Sequence, residues 1–433
     1  MDWNIALIAF LVIFILNFVL RMPMPLGMLA GCVFYFLFAG DPVKMAAQQT
    51  LKTFYTNYTI IAIPLFIFAA NIMNSGKVTE QVFGFAKCFV GHLRGGLGHV
   101  NVLASLIFSG MTGSAIADAS GLGKMEIDAM RAEGYDDAFS CSITAASATI
   151  GPIFPPSIPF VVYAMLSNTS VGALFMAGMA PGVLLAVALM VYVAIVAHKR
   201  NYPKSPRMSM RQIAHYFATA LPAILTPAIL LIGIYTGVMT PTEAGAVAGL
   251  YALLVALLGY RVLKWDGIKK AILDTVEATG SVALMVGAAT CFSYIVAREN
   301  IAGQLGEVIL SITTNKNTFL LLVNIVILIL GMFIDTNTIQ LVLVPMLLPV
   351  AAALGIDLVH FGVVVSFNMM VGLSTPPFGM LLFITSGVSG TPLKDIIREI
   401  WLPLIAMLVV LVIITYVPDT VLFLPKLLIG YGA

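Results

Sequence analysis

The residues of this 433-residue chain best suited to chemistry lie in two glycine-led strings set inside apolar sequence. The first reads Gly110-Met-Thr-Gly-Ser114-Ala-Ile-Ala-Asp118, and the second reads Gly331-Met-Phe-Ile-Asp335-Thr336-Asn-Thr338. Both read as the tips of re-entrant helical hairpins, where helix ends expose unpaired carbonyls and amides. Non-helical backbone at membrane depth is tolerated only where protein or a water-filled cavity covers it. Such carbonyls, with Ser and Thr hydroxyls, make a hard oxygen cage that suits Na⁺. Exposed helix N-termini suit an anion.

A second pair of strings interrupts two further apolar helices. They are Gly151-Pro152-Ile-Phe-Pro155-Pro156-Ser157 and Gly372-Leu-Ser374-Thr375-Pro376-Pro377-Phe-Gly379. Double proline removes backbone donors and frees upstream carbonyls. Matched breaks in two halves of a chain point to a binding site near the bilayer midplane. A plain proline kink is the competing reading. It does not explain why both breaks stand at the same distance from a Gly-Met tip.

Three charges fall within or beside apolar runs: Asp118, Asp335 and Arg298. Burying them costs several kcal/mol, which makes them functional candidates. The two aspartates either coordinate an ion or staple a hairpin to nearby backbone. Arg298 either snorkels to the interface or pairs with a substrate carboxylate, for which a guanidinium is geometrically suited. Enzyme chemistry has no foothold. There is no HExxH and no nucleophile elbow with triad partners. Gly121-Leu-Gly-Lys124 lacks the flanking glycine and the hydroxyl residue of a phosphate loop. The four cysteines are scattered singly, with no metal-ligand spacing, and the five histidines do not cluster.

The elements that must position these strings are membrane helices. The chain is 60% hydrophobic and 10% charged, with a mean hydropathy of +1.02. A soluble domain carries about 25% charged residues. Lipid is therefore the solvent for much of the surface. Apolar runs over 4–20, 58–73, 171–197, 214–237, 242–260, 280–297 and 399–416 reach or approach the length of a span. They leave no room for a separate soluble domain. A net charge of +2 makes nucleic acid an unsuitable partner. Met1-Asp2-Trp3 has no basic n-region and no small-residue cleavage site precedes Arg21, so the first run is read as an uncleaved span.

The chain reads as two related halves. An offset of 221 pairs Gly110 with Gly331, Gly134 with Gly355, Asp136 with Asp357, Gly151 with Gly372, and Pro155-Pro156 with Pro376-Pro377. Other offsets pair Gly27 with Gly245 and Asp41 with Asp266. The first half covers 1–198, with a hairpin at 95–132 and a broken helix at 136–167. The second covers 214–433, with a hairpin at 315–353 and a broken helix at 357–388. Between them, 199–213 is a basic linker that belongs on the cytoplasmic side. Counting spans from it inverts the halves and puts the N-terminus in the periplasm. Residues 41–56 and 265–279 are amphipathic and suit interfacial helices. The expected fold is an all-α polytopic membrane protein, an inverted-repeat elevator-type transporter with two re-entrant hairpins and two broken helices.

Gly237-Val-Met-Thr-Pro-Thr-Glu-Ala-Gly-Ala246, Ile63-Pro-Leu-Phe66 and the tip and Pro-Pro blocks resemble the large membrane subunit of TRAP transporters, the tripartite ATP-independent periplasmic transporters. The likeness covers nearly the whole chain. It implies an elevator-type fold in a bacterial inner membrane and no cofactor beyond Na⁺ as coupling ion. It also implies two partners, a small four-helix membrane subunit and a periplasmic substrate-binding protein. Because the sequence starts at the large subunit's first helix, the small subunit is expected as a separate chain. By motif position the first sodium site involves Gly110, Ser114, Asp118, Gly151 and Pro152. The second involves Gly331, Asp335, Thr336, Gly372, Ser374 and Thr375. Arg298, Ser114, Asp335 and Ser157 are the expected substrate contacts. The implied substrate is an organic anion, sialic acid ahead of a C4-dicarboxylate. A stand-alone sodium/carboxylate symporter of a related elevator family is the alternative. An intramembrane enzyme would need facing nucleophiles or metal ligands, and none is found. A purely structural subunit would leave two matched tips without a purpose.

Overall fold

The computed structural model describes residues 5–20, 22–74, 76–261 and 263–432. Met1, Asp2 and Trp3, on which the uncleaved start is read, lie outside the described residues, as does Arg21. Helices α1 (Ile5–Leu20) and α2 (Met24–Ala39) pack as a pair. A methyl on Gly27 would run into the Asn17 side chain. Amphipathic α3 (Lys44–Thr56) then turns 77° into the segment Tyr58–Met73, which contains α4 (Ala62–Met73). Asn57 makes that corner. Its backbone is extended, and its side-chain oxygen accepts from the Thr59 amide at 3.1 Å. Helix α5 (Gly76–Val90) leads to the first hairpin.

That hairpin is α6 (Gly96–Thr112), a tip at Gly113 and Ser114, α7 (Ala115–Ser120) and α8 (Leu122–Ala132). The first broken helix is α9 (Asp137–Ala148) and α10 (Ile158–Ser167), and α11 (Val171–Lys199) runs to the basic linker. Hairpin and broken helix both start beside that linker. The Gly95 amide donates to the Pro203 carbonyl at 3.1 Å, and Arg200 pairs with Asp136 at 3.0 Å. The far end of α10 lies at the opposite face, where the Tyr163 hydroxyl donates to the Leu358 carbonyl at 2.6 Å.

The second half opens with α12 (Met210–Tyr235) and α13 (Pro241–Leu254). The Thr-Pro-Thr-Glu string is the start of α13. Thr240 caps it, Pro241 fills its first turn, and Glu243 returns a 2.8 Å bond to the Thr240 amide. Helix α14 (Trp265–Arg298) departs from expectation. An interfacial helix over 265–279 and a separate span were expected, but the chain runs as one 34-residue helix. Nothing like Asn57 interrupts it. The offset that pairs Asp41 with Asp266 puts Val282 at the place of Asn57, and Gly280 stays helical with no atom within 4 Å of its Cβ position. Helix α15 (Ile301–Ile312), absent from the sequence reading, lies 117° from α16 (Lys316–Gly331).

Helix α16 and α17 (Thr336–Ala353) form the second hairpin, and α18 (Leu358–Leu373) with α19 (Met380–Ser389) forms the second broken helix. Helices α20 (Leu393–Glu399), α21 (Trp401–Tyr416) and α22 (Asp419–Ile429) complete the chain. The second broken helix starts where the first ends and finishes beside the linker, where Arg200 pairs with Glu399 at 2.6 Å. The two therefore run in opposite directions. At that face Arg131 pairs with Asp137 at 2.6 Å and donates to the Thr391 hydroxyl at 2.8 Å, tying the first hairpin to the second half. The Asp137 carboxylate holds the Arg131 guanidinium protonated above its usual range.

Packing gathers the hairpins and broken helices at one centre. Hairpins and broken helices interlock, with α6 and α8 on α9, α16 on α18, α10 on α17 and α9 on α19. Around them stand α1 to α5 and α12 to α14. Among the described residues, five helices are long and apolar enough to cross a membrane, and three bent pairs raise the number to eight. Large apolar side chains such as Ile195, Leu258 and Val276 stand exposed on the outside, where lipid is a better solvent than water. The chain is an all-α polytopic membrane protein with two re-entrant hairpins and two broken helices.

Candidate functional site

The first tip is built by capping chemistry. Gly113 ends α6 in the left-handed region at φ +59°, and Ser114 starts α7 by accepting from the Ala117 amide at 3.4 Å. A methyl on Gly113 would sit 2.6 Å from the Pro156 carbonyl oxygen, so the tip rests on the break. Ser157 holds the break closed: its hydroxyl donates to the Pro152 carbonyl and accepts from the Phe160 amide at 3.2 Å. Asp118 is buried, with one carboxylate oxygen taking the Thr112 hydroxyl. The other has no hydrogen-bond partner among the described residues and faces Gly151, where a methyl would approach it to 2.6 Å. An unspent carboxylate oxygen among hydroxyls and backbone carbonyls is a donor set of hard oxygens, which fits an alkali cation. The structure thus brings Gly110, Ser114 and Asp118 against the Gly151–Ser157 break.

The second tip differs in detail. Asp335 caps α17 by accepting from the Asn337 and Thr338 amides at 3.0 and 3.3 Å. The offset of 221 therefore matches Asp335 to Ser114, its fellow cap, and not to Asp118, whose counterpart is the apolar Ile339. Gly331 and Gly372 touch across the hairpin and broken helix, and a methyl on Gly372 would lie 2.7 Å from the Gly331 Cα. Past them, Ser374 donates to the Ala145 carbonyl at 3.2 Å and Thr375 to the Val371 carbonyl at 2.7 Å. Gln340 of α17 donates to the Pro159 carbonyl at 2.8 Å, locking the second hairpin onto the first broken helix.

Between the tips lies a cavity of about 310 Å³. Ser114, Pro152, Asp335 and Thr336 line it, and Ser157 caps the helix whose first residues, Ile158 and Pro159, also line it. Three helix N-termini, those of α7, α10 and α17, converge here and direct partial positive charge at its contents. Gly331 and Asp335 also border a smaller cavity of about 230 Å³ on the far side of the second tip.

Arg298 is not where the sequence reading sent it. It lines none of these cavities. It pairs with Asp41 and stacks at 5.7 Å over the Tyr35 ring, while neighbouring Glu299 accepts from the Tyr35 hydroxyl. A carboxylate within reach at the end of its own helix holds the guanidinium there.

Sequence reasoning missed two groups. Asn71, Ala278 and Val282 supply the scaffold wall of the cavity, and Asn71 donates to Thr275 at 3.0 Å. Asn71 sits in an apolar helix and was the available signal. Glu126 and Asn101 are buried behind the first tip. Asn101 donates to Glu126 at 2.7 Å and accepts from Ser147 at 2.6 Å. Glu126 was masked in the sequence by its charged neighbours Lys124 and Asp128.

A family model described as "Tripartite ATP-independent periplasmic transporter, DctM component" matches residues 7–420. The chain is 44% identical over 412 residues to the sialic acid TRAP transporter large permease protein SiaM of Vibrio cholerae, covering 94% of this chain and 96% of the relative. It is 39% identical to the sialic acid TRAP transporter permease protein SiaT of Haemophilus influenzae, covering 98% of this chain and 68% of the relative. It is also 39% identical to the C4-dicarboxylate TRAP transporter large permease protein DctM of Pseudomonas aeruginosa, covering 92% and 93%. Among solved structures, the YdaH transporter of Alcanivorax borkumensis, described as having an unusual topology, shares the fold at a TM-score of 0.64 and 13% identity. That match covers 88% of this chain and 87% of the other.

Proposed function

Because the chain belongs to the DctM family, the large permease subunits of tripartite ATP-independent periplasmic transporters, we propose that it takes up an organic acid in symport with Na⁺. A sialic acid is the first choice and a C4-dicarboxylate the next, since relatives of both descriptions match it along their length. The linker at 199–213 faces the cytoplasm of a bacterial inner membrane. A small membrane subunit and a periplasmic binding protein complete the system, as the family's tripartite description implies.

The observation that carries this reading is the convergence of three helix N-termini on one cavity between two hairpin tips. Among the described residues no Lys or Arg lines it. An anion there is held by backbone amides and the Ser114 and Thr336 hydroxyls, with Arg298 kept at its Asp41 partner as a scaffold clamp. Na⁺ binds at the first tip through Asp118 and Thr112 with the carbonyls of the Gly151–Ser157 break, and at the second through Gly331–Thr336 and Gly372–Thr375. Bound Na⁺ offsets the charge of the acid and of Asp335, so acid and ion enter the low-dielectric site together. Hairpins and broken helices then move as one body against the scaffold, exposing the cavity first to one side and then to the other.

Uptake into liposomes tests this, with Na⁺, binding protein and candidate acids added one at a time to the purified permease complex. Uptake that needs both Na⁺ and binding protein supports the reading. Uptake that follows a pH gradient without Na⁺ names a different ion. Uptake without binding protein returns the stand-alone symporter.

A further inference from the structure

A second cavity of about 460 Å³ lies away from the tips, between α3, α10, α14 and α17. It is in register with the first. Along α10 the tip cavity takes Ile158 and the second cavity takes Val162. Along α14 the pair is Val282 and Val286, and along α17 it is Asn337 and Leu341. Each step is four residues, so one helical turn, about 6 Å, separates the two spaces. On α10 and α14 the step runs away from the linker face, so the second cavity lies toward the outer side in the orientation proposed above.

The chemistry of its wall is selective. Among the described residues Lys52 is the one charged residue lining it, and it takes part in none of their ion pairs. Gln49, Thr53, Asn57, Thr290 and Ser293 add neutral hydrogen-bonding groups, and the Ser293 hydroxyl has no partner among the described residues. Helices α3 and α10 present their C-terminal ends here, through Thr56 and Asn168. Helix C-termini carry partial negative charge and oppose any second negative charge. A dicarboxylate meets one cation and two helix C-termini, leaving one carboxylate unpaired. A polyhydroxylated monocarboxylate places its single charge on Lys52 and its hydroxyls on the neutral groups.

The geometry points to an outer receiving subsite, in line with the tip site and one turn above it, that accepts a polyhydroxylated monocarboxylic acid and disfavours a dicarboxylate. This rests on the transport reading above and specifies its substrate class.

The test uses the complete permease complex in liposomes, with Thr290→Cys placed in a background lacking the four native cysteines. A membrane-impermeant sulfonate thiol reagent labels that cysteine from outside. N-acetylneuraminate should slow labelling at least fivefold, and succinate at the same concentration should not. In Lys52→Gln the protection should disappear and the KM for binding-protein-delivered N-acetylneuraminate should rise about tenfold with Vmax within twofold. Lys52→Arg should keep both near their original values. Equal protection by succinate, protection by neither acid, or an unchanged KM in Lys52→Gln overturns the subsite. Absent uptake of every acid by the unaltered complex overturns instead the transport reading, and the labelling pattern is read independently of it.

Discussion

At the scale of single residues, the two acidic groups of the tips have different work. Asp335 spends its carboxylate on the first turn of α17, while Asp118 keeps one oxygen unspent against Gly151. Serine performs the equivalent capping at position 114, so Asp335→Ser should keep the cap and lose only the charge. Asp335→Ala should lose both, lowering the melting temperature by about 2 °C, since a lost cap costs about 1 kcal/mol. Na⁺-driven uptake should fall in both. Asp118→Asn should leave stability near that of the unaltered protein and raise the Na⁺ concentration for half-maximal uptake about tenfold. Full uptake in Asp335→Ser would reduce Asp335 to a cap. Arg298 belongs to another region of the molecule. Its pairing with Asp41 is partly exposed, and such pairs contribute about 0–1 kcal/mol. Arg298→Ala should therefore leave the KM for the acid within twofold. A tenfold rise would bring the guanidinium back into the substrate site.

At the scale of elements, glycines decide where helices can touch and where they merely continue. Gly331 and Gly372 meet backbone to backbone, so Gly372→Ala must separate the second hairpin from its broken helix. The expected cost is about 1–3 kcal/mol, read as a lower melting temperature in detergent. Gly280 lies mid-helix with open space at its Cβ position. Gly280→Ala should raise the melting temperature, since alanine stabilises a helix interior by up to about 1 kcal/mol over glycine. The opposite ranking would mean that α14 bends at Gly280. One asparagine accounts for the difference between the two halves here. Asn57 turns α3 away from α4, whereas Val282 leaves α14 unbroken and lets one helix serve as both surface arm and span.

For the whole molecule, the proposed transport cycle requires the hairpins and broken helices to move against the helices around them. Met285 of α14 and Thr338 of α17 face each other across the boundary at 3.9 Å, and Met73 of α4 and Thr226 of α12 do so within the scaffold at the same distance. In a background lacking native cysteines, cross-linking Met285→Cys to Thr338→Cys should stop uptake, and a reductant should restore it. The Met73→Cys and Thr226→Cys pair should cross-link without that loss. Equal activity in both would remove rigid-body movement across this boundary from the mechanism.

Apolar length, Gly-Met tips and Pro-Pro breaks were legible in the sequence because lipid imposes them locally. A helix end at membrane depth must be built from residues that cap, turn or lack a donor, and these keep their spacing in both halves. The same logic paired Gly110 with Gly331 and Pro155 with Pro376. It failed for Arg298, because an ion pair depends on which carboxylate the fold delivers, and Asp41 stands 257 residues away. It also set Asp118 beside Asp335 by charge, where the structure matches Ser114 to Asp335 by position. The cavity wall of Asn71, Ala278 and Val282 comes from helices distant in sequence, and the buried Glu126–Asn101 pair is made only when the two arms of the first hairpin fold together. Local spacing records how each helix begins and ends, and only packing decides which helices face one another.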